Sequence, residues 1–404
     1  MQDLLPRAAA ETVAAMMHVF PVVVLTGARQ TGKSTLARML GAGHTYLTLD
    51  DVLLRDLAVR NPEAFLDQGE RLIIDEVQHA PDLLLAVKRR VDESRSPGRF
   101  ILTGSSNLLL QQNIAESLAG RAGYITLGPL TRREQLGFGS TGVWSELVRE
   151  QPARWPAVLQ AQAVPAEDWQ ALARRGGYPV PAYQLDTDAA RSLWYGGYTA
   201  TYLERDLRQL SAVEGLADFR RLMTALCLRL GGLLNQAELG RDIALPSTTV
   251  QRYMNLLEVS YQLVRLPSYH INRTRRMVKA PKAYWTDTGL AMHLAGETAP
   301  RGTHLENLVL SDLLVWAAVA QPRPQIAHWR TSTGAEVDFV IELPGSLLPI
   351  EVKAAAHIRP DDARQLKAFL SDYSEATGGL LLYGGDRVIA LDRGIVAAPW
   401  YLVV

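Results

Sequence analysis

The run Gly27-Ala28-Arg29-Gln30-Thr31-Gly32-Lys33-Ser34 fits the pattern G-x-x-x-x-G-K-[ST], in which the backbone does as much chemistry as the side chains. Glycines let successive N–H groups turn towards one anion, and a helix start adds roughly half a positive charge beside it. Lys33 is then placed to reach the β- and γ-phosphates of a nucleoside triphosphate. The Ser34 hydroxyl is placed to hold Mg²⁺, and Thr35 extends the helix start. A second run, Leu72-Ile73-Ile74-Asp75-Glu76, is an apolar strand ending in two acids. One carboxylate there steadies the Mg²⁺ shell and the next polarises an attacking water, which assigns Asp75 to the metal and Glu76 to the water. Ser105, just past the run Phe100-Ile101-Leu102-Thr103, stands where a small polar residue senses phosphate or merely forms a turn. Arg121 has two readings: a finger for a neighbouring subunit's γ-phosphate, or a partner for the last carbonyls of its own helix.

A second constellation lies near the other end. Glu336-Val337-Asp338-Phe339-Val340-Ile341 and Pro349-Ile350-Glu351-Val352-Lys353 both alternate polar with apolar residues. With period two, Glu336 and Asp338 share one face of a strand, and Glu351 and Lys353 share a face of the next. A turn at Pro344-Gly345-Ser346 pairs the strands. Asp338, Glu351 and Lys353 can then converge, with two carboxylates for Mg²⁺ and a lysine to stabilise or deprotonate a water. Glu306, on a helix expected at residues 305–316, offers a third carboxylate. The bland alternative is a solvated hairpin face on a structural domain.

A third group is basic. Arg273, Arg275, Arg276, Lys279 and Lys282 crowd into ten residues, the best local phosphate-binding patch in the chain. Thr249 and Arg252, on a helix just before it, could face a nucleic-acid groove. Packing on the chain's own motor, or binding a protein, accounts for the same residues.

The elements that must position these groups follow from periodicity. Strands are expected at 22–26, 45–49, 71–75, 99–103 and 124–127, separated by helix-length segments, which is the mark of a parallel sheet wrapped by helices. Residues 132–215 turn helical and irregular, a lid or connector. Residues 216–295 read as helix, helix, helix and basic hairpin, with Asn235 and Ser247 as caps: a helix-turn-helix with a wing. Residues 296–404 read as helix, hairpin, helix and strands. The expected domains are therefore 1–131, 132–215, 216–295 and 296–404.

Composition narrows the class. The 404 residues are 48% hydrophobic and 21% charged, ordinary for a soluble globular protein. Lys plus Arg and Asp plus Glu both number 42, so no global field favours nucleic acid or anionic lipid, and any such affinity must be local. The single Cys227 lies in an apolar stretch and reads as a buried thiol, suited to a reducing cytoplasm. The His residues show no metal-ligand spacing. The apolar residues 8–26 carry Glu11 and His18 and lack a basic leader, so neither a signal peptide nor a membrane span is expected.

The segments GARQTGKST, LIIDEVQ, ILTGSSN, LAGR and LGPLTRRE resemble the AAA-type ATPases of bacteria and archaea. Together with RGGYP, TYLERDL, YWTDTGL, GAEVDFV and PIEVK they resemble a prokaryotic family that joins such an ATPase to a C-terminal domain of unknown function. The D…ExK set formed by Asp338, Glu351 and Lys353 resembles that of the restriction-endonuclease-like fold. The resemblance implies an α/β protein: a P-loop parallel-sheet ATPase domain, a helical connector with a winged helix, and a C-terminal α/β nuclease-like domain. It implies ATP and Mg²⁺ as cofactors, DNA or a protein as partner, and room for a homo-oligomer. The nuclease-like site is expected either as a live metal site or as an inactive binding module.

Overall fold

Continuous runs of branched aliphatic residues form strands where both faces can be buried, and three such runs build the centre of the amino-terminal sheet: β1 (Val22–Thr26), β3 (Leu72–Asp75) and β4 (Phe100–Gly104), each buried at every position. With β2 (Thr45–Thr48) and β5 (Ala122–Thr126) they form a sheet of order β2-β3-β4-β1-β5, all pairs parallel. The computed structural model describes residues 4–105, 118–201, 215–270 and 279–404. The chain divides into two compact units, residues 1–129 with 259–262, and residues 130–258 with 263–404.

In the first unit the register sets Val22 and Leu72 opposite Phe100, so β1, β3 and β4 end together at their carboxyl edge. Ligands bind at that edge in parallel sheets. Helix α1 (Ala10–Val19) precedes β1, α2 (Lys33–Leu40) follows it, α3 (Val52–Arg60) follows β2, and α4 (Leu83–Glu93) precedes β4. Asp51 caps α3 by accepting from Leu53 and Leu54 amides, as a short side chain with a free oxygen does. Val24, Phe65, Ile74, Leu83, Val87 and Leu102 fill one core on the face that α3 and α4 cover. The strands expected from the sequence are all present, β1 with the expected ends and the others with ends shifted by at most two residues.

The second unit is built on a sheet of order β12-β13-β11-β10-β9-β8. Its strands are β8 (Gln325–Arg330), β9 (Glu336–Leu343), β10 (Ser346–Lys353), β11 (Gly379–Tyr383), β12 (Ile389–Asp392) and β13 (Ile395–Pro399). The β9–β10 hairpin is antiparallel, with Leu343 opposite Ser346 across the expected turn. Before the sheet come α5 (Trp169–Arg175), α6 (Asp188–Thr201), α7 (Leu216–Leu228), α8 (Gln236–Asp242) and α9 (Ser247–Val259). An antiparallel pair follows, β6 (Leu263–Leu266) with β7 (Lys282–Trp285), then α10 (Thr288–Ala295) and α11 (Gly302–Val319). Asn235 caps α8 by accepting from the Glu238 amide at 3.1 Å.

The apolar faces of these elements meet in one core: Trp144, Leu222, Tyr284, Leu290, Leu305, Phe339 and Ile350 belong to a single buried cluster. The connector, the three-helix segment and the terminal sheet thus share a core across the boundaries expected at 215/216 and 295/296. Cys227 lies inside it, and burial pushes its thiol well above the usual range. Arg273, Arg275 and Arg276 lie outside the described residues. Among the described residues no helix is long and apolar enough to cross a membrane.

Candidate functional site

The loop after β1 is held in shapes that favour glycine. Gly27 has φ 138°, and a Cβ there would lie 2.2 Å from the Leu127 carbonyl oxygen, so any larger residue would push the loop off β5. Gln30 also lies in the left-handed region at φ 61°, and Gly32 at φ 92°. The Thr31 hydroxyl donates to the Ala28 carbonyl at 3.0 Å, and the Lys33 ammonium donates to the carbonyls of Gly27 (3.0 Å) and Ala28 (2.7 Å). Lys33 is buried and Thr35 exposed, while Arg29 is half-buried. A buried arginine that no motif announces braces the loop: Arg7 donates to the Thr31 carbonyl at 2.6 Å and to the Gly128 carbonyl at 2.7 Å.

The two sequence motifs meet at Asp75. The Ser34 hydroxyl donates to Asp75 Oδ1 at 2.9 Å across 41 residues of chain, and Thr103 donates to the same oxygen. Tyr46, on β2, donates to Oδ2 at 2.5 Å. Burial and then the Asp75 carboxylate raise the Tyr46 phenol above its usual range, so it stays a donor. The Arg38 guanidinium lies 3.7 Å from the centre of the Tyr46 ring, a cation–π contact that fixes the ring over the strand end. A hydroxyl and a carboxylate side by side supply the oxygen ligands that Mg²⁺ takes, and the tight glycine loop beside them suits a polyphosphate.

Glu76 follows in the left-handed region at φ 57°, a strained backbone for a residue with a side chain. Its amide donates to Thr103 Oγ1 at 3.3 Å. Gln78 links two of the expected site residues, donating to the Glu76 carboxylate and to Ser105 Oγ, the latter at 3.0 Å. His79 stands 3.6 Å from Asp50, its pKa lowered by burial. Glu76, Ser105, Lys33, Ser34 and Asp75 are thus gathered at one sheet edge. Arg121 is engaged elsewhere in its own unit. It makes a two-point ion pair with Asp92 (2.6 and 2.9 Å) and donates to the Ala119 carbonyl at 3.0 Å, which is the local one of its two readings.

The acidic set of the second unit does come together, but around a residue expected to serve elsewhere. Lys282, on β7, sits 2.5 Å from Glu336 Oε1 and 3.2 Å from Asp338 Oδ1. The other Asp338 oxygen accepts from the Val352 amide at 2.9 Å. Lys353 donates to Glu351 Oε1 at 2.6 Å, and Tyr284 donates to Glu306 Oε2 at 3.0 Å. Burial and then the Asp338 carboxylate push the Glu306 and Glu351 carboxyls up, each to about 8. Among the described residues no three His, Cys, Asp or Glu side chains are arranged to hold a metal ion. Thr249 is half-buried, whereas Arg252 and Lys279 are exposed.

Three other segments make structural contacts. Asp287 of YWTDTGL accepts from the Gly177 amide of RGGYP at 2.6 Å, from the Leu290 amide at 2.8 Å and from Tyr195 at 3.1 Å. Gly176 has φ 68°, and a Cβ there would meet that tyrosine hydroxyl at 2.4 Å. In LGPLTRRE, Thr131 and Glu134 form a reciprocal cap, and Arg132 donates to the carbonyls of Tyr401 and Val404.

Residues 19–136 match the family described as AAA domain. Residues 166–301 and 301–403 match two domains of unknown function, DUF8612 and DUF4143. Uncharacterized proteins of Mycobacterium tuberculosis and Mycobacterium bovis are each 32% identical over 403 residues, covering 97% of this chain and 83% of theirs. An uncharacterized protein of Haemophilus influenzae is 22% identical over 359 residues, 82% of each chain. Among solved structures, a Walker-type ATPase of Pyrococcus abyssi aligns with 72% of this chain and 99% of its own at 14% identity and a TM-score of 0.44.

Proposed function

This chain belongs to the same family as the two mycobacterial proteins, and on that footing we propose that it is an ATPase that hydrolyses Mg·ATP at the carboxyl edge of its first sheet. The observation that carries this reading is the hydrogen bond from Ser34 to Asp75, which joins the glycine loop and the acidic strand into one site. The amides of residues 27–35 and the Lys33 ammonium hold the triphosphate tail. Ser34 and Asp75 hold Mg²⁺, which when bound neutralises charge on the phosphate oxygens. Glu76, fixed beside them, orients and polarises the attacking water, and Ser105, tied to Glu76 through Gln78, reports on the γ-phosphate.

A second reading has the ATPase act on DNA through a winged-helix-like segment and a nuclease-like domain. The exposed Arg252 and Lys279 and the convergence of Asp338, Glu351 and Lys353 support it. The lysine pairing of Asp338 favours instead a switch or scaffold that recruits a protein, with the last domain inactive. The test is ATP turnover by the purified chain with Mg²⁺ present and withheld, each with and without DNA. Mg²⁺-dependent turnover is expected, and none at all overturns the ATPase reading. DNA stimulation that disappears when Arg252 and Lys279 are neutralised selects the DNA reading, and its absence selects the scaffold.

A further inference from the structure

Lysine side chains are seldom buried unless paired, yet the Lys282 side chain is 3% exposed and lies among carboxylates from two elements. Glu336 and Asp338 come from β9, and Glu306 comes from α11. We propose that Lys282 is a tethered cation that fills this carboxylate nest, fastens the β6–β7 hairpin to the terminal sheet, and excludes divalent metal from the D…ExK site.

Asp338 is the pivotal group. A metal shared with Glu351 or Glu306 needs an Asp338 oxygen; one of them faces the Lys282 ammonium, whose positive charge opposes a divalent cation at that position, and the other is oriented by the Val352 amide. Glu351 gives one oxygen to Lys353, while its Oε2 is buried with no hydrogen-bond partner among the described residues. The ammonium is strongly held. Burial lowers its pKa, but Asp338, Glu306 and Glu336 outweigh burial and keep it above the usual lysine value. His328, facing the same ammonium, has its pKa lowered to about 4 by burial and by Lys282, so it adds no competing charge near neutrality. On the outer side Arg330 takes the second oxygen of Glu336 at 3.1 Å.

The lysine is also fixed by its backbone. On one edge β7 pairs with β6, Leu266 opposite Lys282. On the other, the Gly231 amide donates to the Ala283 carbonyl (2.8 Å), the Ala283 amide to the Gly232 carbonyl (3.0 Å) and the Leu234 amide to the Pro281 carbonyl (2.8 Å). Withdrawing the strand would break both edges, so the ammonium is a fixture of the folded unit. A buried ion pair of this kind sets which elements sit together more than it adds net stability.

The experiment measures Mn²⁺ binding to the full chain, stripped of metal and nucleotide, by electron paramagnetic resonance. Unfolding of the second unit is followed in parallel by tryptophan fluorescence, since every tryptophan lies between residues 144 and 400, inside that unit. Lys282→Met should gain one Mn²⁺ per chain, bound at least ~10-fold tighter than any Mn²⁺ on the unsubstituted protein, the scale on which supporting groups tune metal affinity. Adding Asp338→Asn should remove that gain. No gain in Lys282→Met overturns the proposal. So does a tight Mn²⁺ on the unsubstituted chain that Glu351→Gln abolishes. Should Lys282→Met fail to fold, Lys282→Met/Asp338→Asn decides: recovery of the native fluorescence supports charge pairing, and continued misfolding overturns it. None of these readings depends on the ATP site, so either proposal can fail alone.

Discussion

Two aspartates, one in each unit, have opposite surroundings. Asp75 is held by three hydroxyls, from Ser34, Tyr46 and Thr103. Asp338 is held by the Lys282 ammonium and a backbone amide. A hydroxyl orients a carboxylate without neutralising it, so its charge stays available to an added cation. An ammonium neutralises it outright, and a metal must first displace the ammonium. On the readings proposed above, the same residue types would serve a divalent cation in one unit and a fastening in the other. The difference lies in who donates the hydrogen bonds.

The largest effect that would sharpen this contrast belongs to Glu76. Glu76→Gln should lower turnover ~1,000-fold, within the range that a positioned acid–base group supplies, with nucleotide affinity unchanged. Comparing steady-state turnover with equilibrium ATP binding checks both halves. Lys33→Ala should weaken ATP binding ~100-fold by calorimetry, the scale of a lost charge-assisted hydrogen bond. Unchanged affinity would break the assignment of the loop.

A pH profile probes the second unit. Glu306 and Glu351 titrate near 4.5 when unfolded and near 8 when folded, facing Glu336, Asp338, Lys282, Lys353 and Tyr284. Between those values the folded chain binds more protons than the unfolded one, so stability falls as pH rises. This contribution is complete below the unfolded value and lost as pH passes the folded one. The denaturant midpoint of tryptophan fluorescence should fall between about pH 5 and about pH 8. Glu351→Gln should flatten that slope, and an equal slope in the variant would contradict the nest's charge balance. The smallest effect is expected at Arg121. Its exposed pair with Asp92 implies that Arg121→Ala changes turnover less than ~3-fold, whereas a finger acting on a neighbour would cost ~1,000-fold or more.

Much of the first unit could be read before any coordinates. Its three central strands are apolar runs, and parallel topology alone brings the ends of β1, β3 and β4 to one edge, so spacing alone draws Lys33, Ser34, Asp75, Glu76 and Ser105 together. Tyr46 was not, although it lies two residues from Thr48, which pairs with Asp75 in the β2–β3 register. Pattern marks a strand but not which strand lies beside it. Arg7 lies in no quoted segment, and Gln78 closes LIIDEVQ without a role that the pattern assigns, since their roles are hydrogen bonds to loop carbonyls and side chains. In the second unit, period two put Glu336 with Asp338 and Glu351 with Lys353, and the hairpin brought them together. Lys282 was grouped with four neighbouring cations as a phosphate-binding patch. Its true partner Asp338 is 56 residues away in the chain, a distance that no local spacing can bridge. The core that joins the connector to the three-helix segment and the terminal sheet escapes the sequence for the same reason, because faces of different elements meet only in three dimensions.

The most direct test of the contrast is calorimetry of ATP binding to Asp75→Asn, with Mg²⁺ present and withheld. The amide preserves the shape among the three hydroxyls and removes the charge. The account predicts that the unsubstituted chain binds ATP far more tightly with Mg²⁺ than without, and that the variant loses this enhancement while keeping its Mg²⁺-free affinity. Full retention of the Mg²⁺ enhancement in the variant would contradict it.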